Sequence, residues 1–560
     1  MPSVAMGRMS PDERGQAEAY YHFMAGNLHE QDGDFDAALK EYEAAYRLDP
    51  RSAEIVLSLA SLTFRKGQAD EAAELAKKAA ELAPDKTGPL LLLATIHTSR
   101  KKYDEAAEVY RKVIALEPKK EDTYIYLGSL YAAMKRYDDA IATFKALEKV
   151  NPSSLMSPYY LGRIYTERQM FNEAIAEFKR VISLRDDFEP AYTNMAFIYE
   201  LTEKIDDAID AYKKALAINP HDLEIMARLA QLYIQQNDLD NALEQFRRLV
   251  ANDPRNYDAY VKMGLIYAEK KQYEQAREAF QVVAEAEPKD VKVRRYLAST
   301  LVALERYDDA LREYNAILAA APDDTDTILQ IASLYAQQKR TAEALPLLEK
   351  ALKEQPGKPE LYLYLANAYM DVENYTKAVD VLKAGIELAP DRDDLPFSLA
   401  IAYEKLGKRS EMIDALKKTL ELKPDNADAL NYLGYSYAEK GENLDEAIVL
   451  IKRALLIKKD NGYILDSLAW AYYQKGMLNE ALEYMKQAVA KTPKDDPVMR
   501  EHFGDIYLKL SRKDKAREQW FKSLLLDPKN QKLKDKFREA GFGDPDAQPP
   551  VEKPGKKSKK

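Results

Sequence analysis

Residues 121–154 read EDTYIYLGSLYAAMKRYDDAIATFKALEKVNPSS. Two segments with helical residue preferences flank a short polar turn, which Arg136-Tyr137 closes. Gly128 lies midway along the first segment and Ala140 in the second. A small residue in each helix lets the two backbones approach within the ~8–10 Å range of close helix packing. Tyr131 and Phe144 fill the space around that crossing. Pro152 ends the second helix and presets the turn that follows.

The unit repeats in both directions. The closing residue recurs at Pro50, Pro84, Pro118, Pro152, Asp186, Pro220, Pro254, Pro288, Pro322, Pro356, Pro390 and Pro424, always in steps of 34. Lys459, Pro493 and Pro528 follow at steps of 35, 34 and 35, which makes 15 units. With this residue numbered 32, position 8 is Gly or Ala in all 15 units. Position 20 is Ala in 14, Met412 being the exception, and position 11 is Tyr in 11. Aromatics recur at position 24, as in Tyr42, Tyr110, Phe178 and Trp520. The additional residues enter near Gly441 and near Asp496. Pro158 and Pro396 fall at position 4, in the first turn of a helix, where proline is tolerated.

These positions resemble the tetratricopeptide repeat, a helix-turn-helix unit with the same period and the same small, aromatic and proline positions. The likeness covers about nine-tenths of the chain. It implies an all-α fold, a right-handed α-solenoid superhelix of about 15 repeats. Residues 1–18 are expected to precede the repeats, 19–530 to form the solenoid, 531–540 (KNQKLKDKFREA with its two leading residues) to cap it, and the Pro- and Lys-rich 541–560 to be disordered.

Composition agrees with an all-helical chain. Only 20 Gly and 26 Pro occur among 560 residues, and strong helix formers dominate. Acidic residues number 93 against 83 basic ones, a net charge of −10, which opposes binding to a phosphate backbone. Zero cysteines exclude disulfides and thiolate metal sites. No apolar run reaches the ~20 residues of a membrane span. Met1 to Gln16 is polar, without the order of a secretory signal. As written the chain reads as cytoplasmic. A trimmed leader would make it periplasmic or tethered to an outer membrane.

In the tetratricopeptide family the ligand face is lined by positions 2, 5, 9 and 12 of the first helix of each repeat, one helical stripe. At ~10 Å per repeat, 15 repeats give roughly 150 Å of such surface. Two clusters occupy the stripe and its border. One is aromatic: Asn431, Tyr435, Tyr463, Asp466, Trp470 and Tyr473, large rigid area with polar handles. The other is basic, with Lys292 and Arg295 on the stripe and Arg228 and Lys262 beside it, suited to an acidic segment. Glu224 and Asp258 stand four residues before Arg228 and Lys262, so helix-surface ion pairs compete for half of that cluster.

Some family members grip a terminal carboxylate with Lys at position 5 and Asn at position 9. Here Asn27 and Asn367 occupy position 9, but Phe23 and Leu363 stand at position 5, so that clamp is missing. Asn194 alone represents the position-6 asparagine ladder of another branch. Asp32, Asp34, Asp36 and Glu43 imitate a calcium loop with Ala37 where Gly is demanded. His22, His29, His97, His221 and His502 are scattered. No phosphate loop, nucleophile elbow or zinc spacing occurs, so no cofactor is expected. The repeats also leave no room for a catalytic domain.

The expected function is therefore a non-enzymatic scaffold or adaptor that binds protein or peptide partners. RNA-reading helical repeats form the alternative of another class, opposed by the acidic charge and by Leu57, Leu91, Ile125, Val261 and Leu329 on the stripe. Residues 427–456 (ADALNYLGYSYAEKGENLDEAIVLIKRALL), with NGYILDSLAWAYYQKGMLNEALEYMKQAV and HFGDIYLKLSRKDKAREQW, are similar to the C-terminal repeats of bacterial envelope lipoproteins of this family. One such group delivers substrates to a periplasmic carboxyl-terminal processing protease, which implies an envelope adaptor.

Overall fold

The computed structural model describes residues 11–546, with side chains from 13 onward. These residues form 31 α-helices and no strand, numbered in chain order from α1 (Pro11–Gln31) to α31 (Gln531–Glu539). Odd-numbered helices up to α29 are the first helix of a repeat, helix A, and even-numbered ones are helix B. Every helix B is 14 residues long. Helix A varies between the 12 residues of α9 and the 14 residues of α25. The exception is α1, at 21 residues, because it begins at Pro11, ahead of the first repeat position at Ala19.

The chain divides into two compact units, Met1–Lys270 and Lys271–Lys560. In each, a helix packs against its hairpin partner and against the next helix in sequence. The pairing of positions 8 and 24 is steric. A Cβ added at Gly128 in the first unit would come within 2.4 Å of the Phe144 ring, and one at Gly504 in the second within 2.1 Å of Trp520. Ala takes position 20 because that side chain is fully buried, as at Ala38, Ala140, Ala310 and Ala516.

The turn inside each hairpin requires a left-handed residue at position 15. Gly33, Gly67, Gly407 and Gly476 supply it without strain, but Lys101, Lys135, Gln169, Glu203, Asn237, Glu305, Lys339, Glu373 and Ser511 adopt φ between 57° and 61° there. The next hairpin starts on a side-chain cap: Ser52, Asp222, Asp290, Asp324, Asn426 and Asn530 each accept a backbone N–H of the helix they precede. Pro158 and Pro396 lie in the first turns of α9 (Met156–Glu167) and α23 (Asp394–Lys405), where no intrahelical donor is lost.

Along the turns, basic residues reach back about one repeat to an Asp. In the first unit Lys66 pairs with Asp36, Arg100 with Asp70, Arg136 with Asp104 at 3.0 Å, Arg168 with Asp138 at 2.7 Å and Lys270 with Asp240 at 2.7 Å. In the second unit Lys475 pairs with Asp445 in the same manner. The acids that imitate a calcium loop have other work. Asp34 caps α2 (Phe35–Leu48) and Asp36 holds Lys66.

Helix α31 buries Leu533 and Phe537 against Trp520 and Leu524. Its opposite side exposes Lys532, Asp535, Arg538 and Glu539. The start of the segment expected to be disordered is held in place. The Phe542 ring lies 5.3 Å from Phe537 and 5.8 Å from Trp520, and Asp544 and Asp546 pair with Arg538 and Lys534 at 3.1 and 2.8 Å. The remainder of that segment, residues 547–560, lies outside the described residues, as do residues 1–10. No helix among the described residues is long and apolar enough to cross a membrane.

Candidate functional site

Three helices A in the second unit place the aromatic residues: α25 (Ala427–Lys440), α27 (Gly462–Gln474) and α29 (Pro497–Lys509), each packed on the next. Trp470 lies between two rings. Its centroid is 4.8 Å from that of Tyr473 and 4.0 Å from that of His502, both within 18° of parallel. The Tyr435 ring approaches His502 from α25, at 6.5 Å. Asp466 accepts from His502 Nδ1 at 3.0 and 3.3 Å, with both residues buried.

The structure thus gathers Tyr435, Asp466, Trp470 and Tyr473 around His502. Asn431 sits one turn before Tyr435 on α25. Tyr463 stands apart, exposed on the first turn of α27. Two polar atoms in this cluster are buried without a partner, Asn431 Oδ1 and Trp470 Nε1. A buried, unbonded polar atom typically costs ~1–3 kcal/mol.

The charges acting on Tyr435 are negative. Burial pushes the Tyr435 phenol well above its ordinary range, and the Asp466, Glu439, Glu404 and Glu501 carboxylates push it further. Tyr432 is raised in the same way, by burial and by its hydrogen bond to Glu404. A cavity of about 260 Å³ opens beside these two tyrosines, with Glu404, Met412 and Glu439 on its walls. Arg409 edges it, already bonded to Glu442 and to the Ser436 carbonyl, each at 2.9 Å.

Burial opposes a charged His502. The Asp466 carboxylate and its hydrogen bond, with Asp505 and Glu501 beyond, outweigh that and hold the imidazole above its ordinary pKa of 6.5. Lys536 of α31 closes the next repeat, donating to Asp505 at 2.7 Å and Glu501 at 3.0 Å. Trp520 Nε1 donates to the other Asp505 oxygen at 3.0 Å. Position 6 therefore answers position 5 or 9 of the preceding repeat: His502 answers Asp466, and Lys536 answers Glu501 and Asp505. Reading the stripe alone misses both residues. Their signal is a basic residue at position 6 following an acid at position 5.

The basic residues meet a different environment. In the first unit Arg228 pairs with Glu224 at 3.1 Å and Glu200 at 3.5 Å, and lies over the Phe197 ring. Lys262 pairs with Asp258 at 2.7 Å and approaches the Phe246 ring. In the second unit Arg295 holds Asp324 at 2.5 Å, and Lys292 lies 5.9 Å from the Tyr296 ring centroid. Arg228, Lys262 and Arg295 are each neutralised by a carboxylate of the chain.

The chain matches one tetratricopeptide repeat model at residues 97–160, 267–331 and 335–396. A second repeat model matches 23–87 and 397–463, and a third 462–495. Residues 195–294 match the model described as the cytochrome c-type biogenesis protein H TPR domain. No curated protein matches. Among solved structures the chain is similar to the APC/C hetero-tetramer Cut9–Hcn1, with 16% identity over 82% of this chain and 90% of that one and a TM-score of 0.35. It is similar to yeast Tom70, with 17% identity over 82% and 96% and a TM-score of 0.33. MamA shares 29% identity over 30% and 91%, with a TM-score of 0.27. Repeat models thus recur along most of the chain, in phase with its period of 34 and its paired helices: the chain belongs to the tetratricopeptide repeat family.

Proposed function

We propose that this chain is a protein-interaction scaffold whose helix-A face over α25, α27 and α29 takes an extended partner segment carrying a Lys or Arg side chain. The repeat family supports the general role. The observation that carries the finer reading is the pairing of unfilled Asn431 Oδ1 and Trp470 Nε1 with stacked, partly exposed rings. A peptide backbone offers both a donor and an acceptor. A cation over the Tyr435 ring is favoured by its quadrupole, by ~0.5–2 kcal/mol depending on desolvation, and by the carboxylates around it.

The test is affinity capture with the full chain, mass-spectrometric identification, then calorimetry with the purified partner. The Tyr435→Ala, Trp470→Ala, Tyr473→Ala variant, checked for retained helicity, is expected to bind at least ~30-fold more weakly. Equal binding by both forms sinks the reading.

A narrower reading rests on the resemblance of residues 427–520 to envelope lipoprotein repeats: an adaptor that presents substrates to a carboxyl-terminal processing protease. It is tested by co-purification with such a protease. Its absence from complexes captured in an envelope fraction would exclude that role.

A further inference from the structure

Every repeat after the first buries the same two positions of helix A. Position 3 is Ile55, Pro89, Thr123, Ser157, Ala191, Ile225 and onward to Met499, buried in all 14 later repeats. Position 10 runs from Leu62, Ile96 and Leu130 to Ile506 and is likewise buried in all 14. In α1 these positions are Tyr21 and Leu28, and they are 70% and 59% exposed. Tyr20 and Met24, beside them, are 64% and 49% exposed.

The remaining sides of α1 are used in the ordinary way. Ala19 is buried, and Gly26 admits the Tyr42 ring, which would lie 2.6 Å from an added Cβ. Among the described residues, what stays open is the side on which repeats stack. It carries two tyrosines, a methionine and a leucine, residues suited to burial. α1 is also 21 residues long, about 30 Å.

The other end of the repeat array is finished differently. α31 places Leu533 and Phe537 on Trp520 and Leu524 and turns charged residues outward. In a second copy the stacking face of the last repeat is thus already occupied by its own α31, which leaves no room there for head-to-tail stacking of chains. A surface of the same length and apolar make-up on a second copy is its own α1.

We infer that the open face of α1 is a self-association surface, where two copies pack α1 against α1 about a two-fold axis. Such a contact is isologous and closes at two chains. Two helices of this length in contact reach roughly the lower end, ~1,200 Å², of specific interfaces. The dimer is therefore expected to dissociate on dilution within the micromolar range.

Sedimentation velocity of the full chain between about 1 and about 100 µM tests this. The expected result is a monomer–dimer equilibrium, abolished in a Tyr21→Glu, Leu28→Lys variant of unchanged helicity. A wild type that stays monomeric throughout overturns the inference. A dimer that survives the double substitution overturns it as well. The chain has no cysteine, so Met24→Cys introduces a single thiol midway between Tyr21 and Leu28. Under mild oxidation this variant is expected to form a disulfide-linked dimer. Dimers without that cross-link overturn the symmetric arrangement.

Discussion

Arg228 and Trp470 both lie on or beside the stripe that tetratricopeptide repeats use for ligands, in different repeats of the chain. Arg228 is held by Glu224 and Glu200. Trp470 is held by rings on both faces, yet its Nε1 has no acceptor. Arg228, Lys262 and Arg295 each meet an opposite charge one turn or one repeat away. Aromatic area is not cancelled in this way. Stacking on Tyr473 and His502 covers the indole faces of Trp470 but supplies no acceptor to its Nε1.

The sharpest way to break this comparison is to remove one acid from each region. Asp466→Ala leaves His502 buried without its carboxylate, and losing one partner of a buried pair costs about 3–5 kcal/mol. Glu224→Ala leaves Arg228 near the surface with Glu200, at a cost of about 0–1 kcal/mol. Hydrogen exchange of α27 and α29 against α13 (Leu223–Gln235) reads both locally. Equal losses would mean that the two pairs do not differ.

Binding should separate the regions next. With the captured partner, the Tyr435, Trp470 and Tyr473 alanine variant is expected to lose at least ~2 kcal/mol, and Arg228→Ala with Lys262→Ala less than ~0.5 kcal/mol. The reverse order would move the site to the basic residues.

A pH series makes a finer distinction. The folded pKa of His502 lies above its ordinary value, so its pairing with Asp466 contributes fully below the unfolded value of about 6.5 and fades as pH rises through the folded one. Exchange protection of α27 and α29 should fall as pH rises above about 6.5, after correction for intrinsic rates, and His502→Gln should flatten that fall. Protection of α13 should not share the trend. A wild-type profile as flat as the variant's would remove the charged pair from the account.

The smallest effect concerns the turn ladder. Raising salt from about 0.05 to about 0.5 M shortens the screening length severalfold. This should weaken exposed pairs such as Lys66–Asp36 and Arg168–Asp138 while leaving buried His502–Asp466 nearly unchanged. Local exchange near α3 (Ala53–Arg65) and α9 reports it.

The helix pairs were legible in the residues because their causes are local or periodic. Gly128 opposite Phe144 and Pro152 after the second helix carry the hairpin, and a near-constant step along the chain repeats it. The stripe positions are legible too, so spacing alone groups Tyr435, Asp466, Trp470 and Tyr473. Asn194 shows the limit of such grouping: it occupies position 6, but its side chain bonds back to the Pro190 carbonyl of its own helix.

Sequence by itself therefore determined the unit, its period, its number and the identity of its buried small and aromatic positions, since these depend on spacing within about one repeat. Tertiary structure alone decided which side chains meet across repeats. His502 entered the aromatic cluster, Lys536 closed over Glu501 and Asp505, and Phe542 joined the cap. It also decided that Tyr21 and Leu28 lie open where 14 later repeats bury the same positions. The physical reason is that burial and charge neutralisation belong to neighbours in space. A residue's position in the repeat names the face it occupies, and only the adjacent helix determines whether that face is filled.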